Sequence, residues 1–98
     1  MKLAFTPEAE AQADECDRWW REHRDAKDIF AEELAATRTL LREAPEIGSM
    51  HTVLDGLPVR RVLLRKTRTH VYYSVDGDAE LVTILAVWGA PKGRGPNL

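Results

Sequence analysis

The feature that most constrains this chain is a change of hydrophobic period partway along it. Between Pro7 and Pro45, apolar residues return every three or four positions, the repeat of one helix face. Beyond Pro58 they fall in strand-like runs, VRRVLLRKT, HVYYSV and ELVTILAVW. A segment patterned for one element turns its apolar face to water in the other. The chain is therefore held to helices first and strands after, an α+β arrangement.

The helical half has clear punctuation. MKLAF reads as a brief edge strand, with Leu3 and Phe5 on one face. Thr6-Pro7 is a helix start, because Thr caps and Pro suits the first helical position. Glu8 and Glu10 then sit near the positive end of the dipole. The first helix is predicted to run to about Arg24, with Ala9, Ala13, Cys16, Trp20 and His23 on one narrow face. Asp25-Ala26-Lys27-Asp28 caps a second helix, where Phe30, Leu34, Thr37, Leu41 and Ala44 form an apolar stripe that Pro45 ends. So short a break predicts an antiparallel helix hairpin.

In the strand half, residues 48–58 read as a connection with a turn at Asp55-Gly56. The Asp76-Gly77-Asp78 segment is a hairpin signal between the last two strands. Strand parity places Val62, Leu64, Val71, Tyr73, Val75, Val82, Ile84, Ala86 and Trp88 on one apolar face, against the helices. Arg61, Leu63, Arg65, His70, Tyr72, Ser74, Thr83 and Leu85 fall on the opposite face. The order is β-α-α-β-β-β, a single domain over residues 1–98 with the helix hairpin packed on one face of a largely antiparallel sheet.

Composition bounds the function. With 98 residues and 31% charged residues, the chain is one globular domain. Its one cysteine, Cys16, forbids an internal disulfide and fits a reducing cytoplasm. No apolar run spans a membrane, and the N-terminus turns acidic too soon for a secretory signal. The net charge of −2 hides an asymmetry: residues 1–55 carry 7 Lys+Arg and 13 Asp+Glu, and residues 56–98 carry 7 and 3. That pattern fits two faces with different partners, or a solvated surface of mixed sign.

Phosphate loops, nucleophile elbows and metal-spaced Cys or His pairs are absent from the sequence, so no cofactor and no metal is expected. Three features remain. The first is the run Arg60, Arg61, Arg65, Lys66 and Arg68, either an edge strand protected by charge or a phosphate-contacting surface. The second is His70 with Tyr72, either an ordinary strand face or a stacking or proton-transfer pair. The third is Trp19-Trp20. Adjacent helix residues diverge by about 100°, so one packs inside and the other is left for a partner or for the hairpin corner. The tail after Trp88 adds Lys92 and Arg94 between glycines and prolines. It is read as part of a target-facing surface, against a frayed end.

The order of these pieces resembles a known family. FTPEAEAQ, EAPEIG, VRRVLLRKTRTHVYYSV and ILAVWGAPKGRGP together are similar to the RelE/ParE toxins of type II toxin–antitoxin systems, over nearly the whole chain. The resemblance implies a bacterial cytoplasmic toxin, linked to plasmid stabilisation and growth inhibition, that a cognate antitoxin neutralises; Trp19 and Trp20 are the candidates for that contact. RelE-like members cut mRNA on the ribosome without a metal, the 2′-OH attacking the adjacent phosphate while cations stabilise the charge. ParE-like members poison DNA gyrase and have no established catalytic residues. Arg61 and Arg65 lie on the matching strand, and Lys92 and Arg94 follow the last strand. With His70 and Tyr72 they are the target-binding candidates; catalytic residues are not assigned. No Tyr or His follows Tyr73, where RelE-like chemistry often places one, and the chain is acidic where ribosome-binding members are basic. Both departures favour a ParE-like gyrase inhibitor over an endoribonuclease; a diverged, non-toxic binding module is the third reading. The resemblance leaves a homodimer open.

Overall fold

Thr6 and Pro7 start the first helix as their chemistry dictates. Strand β1 (Lys2–Phe5) enters helix α1 (Pro7–His23) through Thr6, whose hydroxyl accepts the Ala9 N–H at 3.1 Å. The computed structural model of the chain describes residues 1–89 and 95–98. Helix α2 (Ile29–Glu43) follows a short break and ends before Pro45. Pro45–Ile47 form one 3₁₀ turn, which leads to β2 (Ser49–Leu54), β3 (Leu57–Leu64), β4 (Thr69–Asp76) and β5 (Leu81–Gly89). The two helices lie against a mixed five-stranded sheet of order β1-β5-β4-β3-β2. Only β1 runs parallel to its neighbour, β5; the other pairings are antiparallel.

The α+β class and the helix hairpin are as the periodicity predicts, and the sheet has one more strand than expected. Residues 49–54 are not part of a connection but pair with β3 as a hairpin. The two-residue turn is Asp55-Gly56, with φ of 52° and 79°, the doubly positive geometry for which Asp-Gly is suited. The strand hid from pattern reading because its register slips between Met50 and Thr52, leaving His51 as a bulge that breaks the alternation. β3 is consequently an interior strand, and the edge-protection reading of its basic run fails. The run also divides. Arg60 and Arg61 are on β3, whereas residues 65–68 make the turn to β4 and Arg68 takes a positive φ of 56°.

A second bulge corrects the parity assignment of β5. Tyr72 pairs with Ala86 but Tyr73 pairs with Ile84, so Leu85 is an extra residue in β5. Beyond it the faces are exchanged. Val87, not Ala86 or Trp88, joins the core opposite Val71, and Trp88 lies beside His70 on the face away from the helices. Helix α1 secures the irregularity. The Val87 N–H lies past the end of β1, where Phe5 pairs with Ile84, and it donates to Gln12 Oε1 at 2.8 Å.

The core is the contact layer between the hairpin and the inner sheet face. Ala9, Ala13, Phe30 and Leu41 meet Leu64, Val71, Tyr73, Val82, Ile84 and Val87, with Cys16, Trp20 and Leu34 half-buried at the margin. Each large apolar side chain removed from water contributes about 1.5–3 kcal/mol. The small alanines of α1 let that helix approach the sheet. Among the described residues, no helix is long and apolar enough to cross a membrane.

Candidate functional site

The sheet face away from the helices carries Val59, Arg61 and Leu63 on β3, His70, Tyr72 and Ser74 on β4, and Ala86 and Trp88 past the bulge of β5. Cross-strand pairing sets Arg61 between Ser49 and Tyr72, and His70 between Leu63 and Trp88. His51, pushed out by its bulge, brings its ring to 5.0 Å from that of Tyr72 at 70°. The His70 ring lies 6.1 Å from Tyr72. The two histidines thus meet around one tyrosine, from elements the sequence keeps far apart.

This face is less open than alternation suggests. Tyr72 is only 3% exposed, and Val59, Ser74 and Ala86 are buried too. Gly95, near the far end of the chain, lies close to the Tyr72 side chain: a Cβ there would stand 3.4 Å from the Tyr72 hydroxyl. Tyr72 is therefore a buried support, not the exposed contact expected. Burial, with a smaller contribution from the Arg61 charge, holds the His70 imidazole below its ordinary pKa. Lys92 and Arg94, two further candidates, lie outside the described residues.

Arg61 and Arg65 come together at a different place from the one strand parity gives. Because β2 starts at Ser49, opposite Arg61, β3 runs on from Val62 to Leu64 without a neighbour on that side among the described residues. An open groove of about 480 Å³ fills the gap, lined by Gly48, Ser49, Arg61, Leu63, Arg65 and Arg68 among others. Among the described residues, no carboxylate lines it. The β3–β4 turn that carries Arg65 and Arg68 is held from α2. The Glu33 carboxylate accepts the Lys66 N–H at 2.7 Å, the Thr67 N–H at 3.1 Å and the Thr67 hydroxyl at 2.7 Å. Arg60 is occupied elsewhere, donating to the Gly48 carbonyl at 2.9 Å.

Of the residues that join these sites, Arg68 was visible in the basic run, whereas His51 and Glu33 gave no sequence signal. His51 arrives through a bulge. Glu33 acts on a turn more than thirty residues away. Among the described residues, no three His, Cys, Asp or Glu side chains gather as metal ligands.

The aromatic pair of α1 divides as helix geometry requires. Trp20 packs against the core, and Trp19 is 38% exposed. Trp19 stacks on His23 at 4.7 Å and 13°, and the Arg24 guanidinium lies 4.9 Å from the Trp19 ring and 5.7 Å from that of Trp20. The result is a rigid, half-exposed aromatic corner at the end of the helix hairpin.

Solved structures share this architecture. The intact RelBE toxin–antitoxin complex of E. coli contains a chain 20% identical, aligned over 91% of this chain and 95% of that one with a TM-score of 0.62. The chromosomal ParDE system of P. aeruginosa contains one at 21% identity, with the same coverages and a TM-score of 0.66. Identities this low carry the fold alone. No curated protein matches the chain. The family model described as ParE toxin of type II toxin-antitoxin system, parDE, matches residues 3–90. That span holds the helix hairpin, β2 to β5 with all of β1 but Lys2, both bulges and the arginine groove, and the chain belongs to the ParE toxin family of type II toxin–antitoxin systems.

Proposed function

We propose that this toxin arrests growth by inhibiting DNA gyrase in the bacterial cytoplasm and is neutralised by a cognate antitoxin. The observation that carries the reading is the family match over residues 3–90, which names ParE. The sheet face supports it. With Tyr72 buried and only Arg61 and Lys2 supplying a cation from its described strands, this face suits docking better than cleavage of a phosphodiester. The antitoxin is assigned to the helix hairpin and a sheet edge. Trp19 offers a preorganised anchor there, and the similar E. coli and P. aeruginosa structures come from toxin–antitoxin systems.

The second reading is mRNA cleavage on the ribosome. It is favoured by one arrangement, the His51–Tyr72–His70 cluster beside Arg61, which gathers two imidazoles and a phenol next to a cation.

Induced expression with parallel labelling of DNA and protein synthesis tests the two. The gyrase reading expects early loss of DNA synthesis with filamentation, and loss of supercoiling by purified gyrase when toxin is added. Early loss of translation with cut mRNA would replace it with the nuclease reading. Absence of any growth arrest would make the chain a binding module.

A further inference from the structure

Three arginines with no acidic partner among the described residues converge on the groove at the end of β3 that β2 does not reach. Arg61 comes from the strand, and Arg65 and Arg68 from the turn that Glu33 fixes. Among the described residues, the ion pairs are those of Arg21 with Asp17 and Asp28, at the far helical corner. Like charges gathered in this way repel one another, and an anion in their midst relieves that repulsion. Guanidinium groups match the oxygens of a phosphate bidentately. We infer that this groove is a binding site for the backbone phosphates of a DNA strand.

One feature favours a nucleic acid over an acidic peptide. Arg61 belongs both to the groove and to the aromatic face, being paired across the sheet with Tyr72. Next to that pair stand His51, which is exposed, and His70 and Trp88, which are half-buried. A phosphate in the groove therefore has rings within reach for the adjoining base, the combination of cation and stacking platform that unpaired strands favour. The placement of acid keeps the groove charged for such a ligand. The one carboxylate that organises the groove, Glu33, is spent on backbone and hydroxyl donors of the turn, which leaves the arginines their full charge.

The inference rests on the gyrase reading in one respect, the choice of DNA as ligand, since gyrase holds cut DNA open. Purified toxin is titrated against a fluorescently labelled single-stranded DNA oligonucleotide over a salt series, with no gyrase present. The wild-type chain should bind, with affinity falling as salt rises. Arg61→Gln, Arg65→Gln and Arg68→Gln should each weaken binding about fivefold or more and reduce the logarithmic salt slope by about one. Arg42→Gln makes the same charge change outside the groove and should leave binding within about twofold of wild type. Unfolding midpoints of all variants should match, since these side chains are exposed.

Equal binding by the groove variants and Arg42→Gln would overturn the site, as would absence of wild-type binding at low salt. A poly-glutamate peptide of equal length that binds as tightly, and is lost in the same variants, would reassign the groove to an acidic protein partner. A supercoiling assay separates the two claims. Gyrase inhibition without oligonucleotide binding removes the groove and keeps the target. Binding without inhibition does the reverse.

Discussion

The Tyr73 hydroxyl occupies the place where any side chain at Gly48 would have to go. It accepts the Gly48 N–H at 2.9 Å and donates to the Pro45 carbonyl at 2.7 Å. A Cβ at position 48 would stand 2.5 Å from that oxygen and 2.7 Å from the Arg61 carbonyl. Gly48 has an ordinary φ of −71°, so it is glycine for space and not for backbone freedom. The EAPEIG block thus has a physical meaning. Pro45 ends α2, and Gly48 lets the chain press against β3 and β4 where β2 begins.

Tyr73→Phe should destabilise the fold by about 2–3 kcal/mol in urea unfolding, because it leaves a buried N–H and a carbonyl unpaired. Gly48→Ala should cost at least as much, since both clashing oxygens are held in place by the sheet and core. A loss below about 0.5 kcal/mol for both variants would show that the latch is not structural.

Glu33→Gln should loosen the β3–β4 turn. Glutamine keeps a single acceptor and no charge, where the carboxylate takes three donors. We expect a loss of about 1–2 kcal/mol and faster amide hydrogen exchange at Lys66 and Thr67. Unchanged exchange at these two amides would mean that the turn holds its shape without α2.

His70 predicts the direction of acid sensitivity. Its folded pKa is lowered, first by burial and then by Arg61, so the unfolded chain binds the proton more readily. Its contribution to stability is complete above the ordinary histidine value of about 6.5 and is lost as pH falls through the lower folded value. Thermal melts from pH 7.5 downward should show the fall, and His70→Gln should flatten it. Arg61→Gln should move it to higher pH only in part, since burial is the larger cause. A His70→Gln chain with the wild-type acid profile would assign the sensitivity to other groups.

Trp19 and Trp20 should separate binding from folding. Trp19→Ala removes an exposed ring and should weaken the antitoxin complex by about 2 kcal/mol while the unfolding midpoint barely moves. Trp20→Ala removes a ring packed on the core and should lower stability by about 2–3 kcal/mol. Calorimetry with purified antitoxin and separate melts distinguish the two. Undiminished affinity for a folded Trp19→Ala chain would place the antitoxin elsewhere.

Much of the architecture was determined by the sequence alone, because it depends on local signals. Thr6-Pro7, the 4-3-4-3 stripe on α2, Pro45 and the hairpin dipeptides act within a few residues of where they stand. Periodicity then chooses the buried faces of both helices and of β3 and β4. The tertiary structure decided whatever depends on counting across a sheet. One extra residue at Leu85 moves Trp88 from the expected core face to the side of His70, and one at His51 conceals a strand and sends a histidine to Tyr72. A bulge changes parity without changing composition, so alternation read along the chain carries straight past it. The groove was hidden for a related reason. Arg61, Arg65 and Arg68 meet because β2 starts short of the end of β3 and Glu33 holds a turn distant in sequence, and both are contacts between elements that no local pattern encodes.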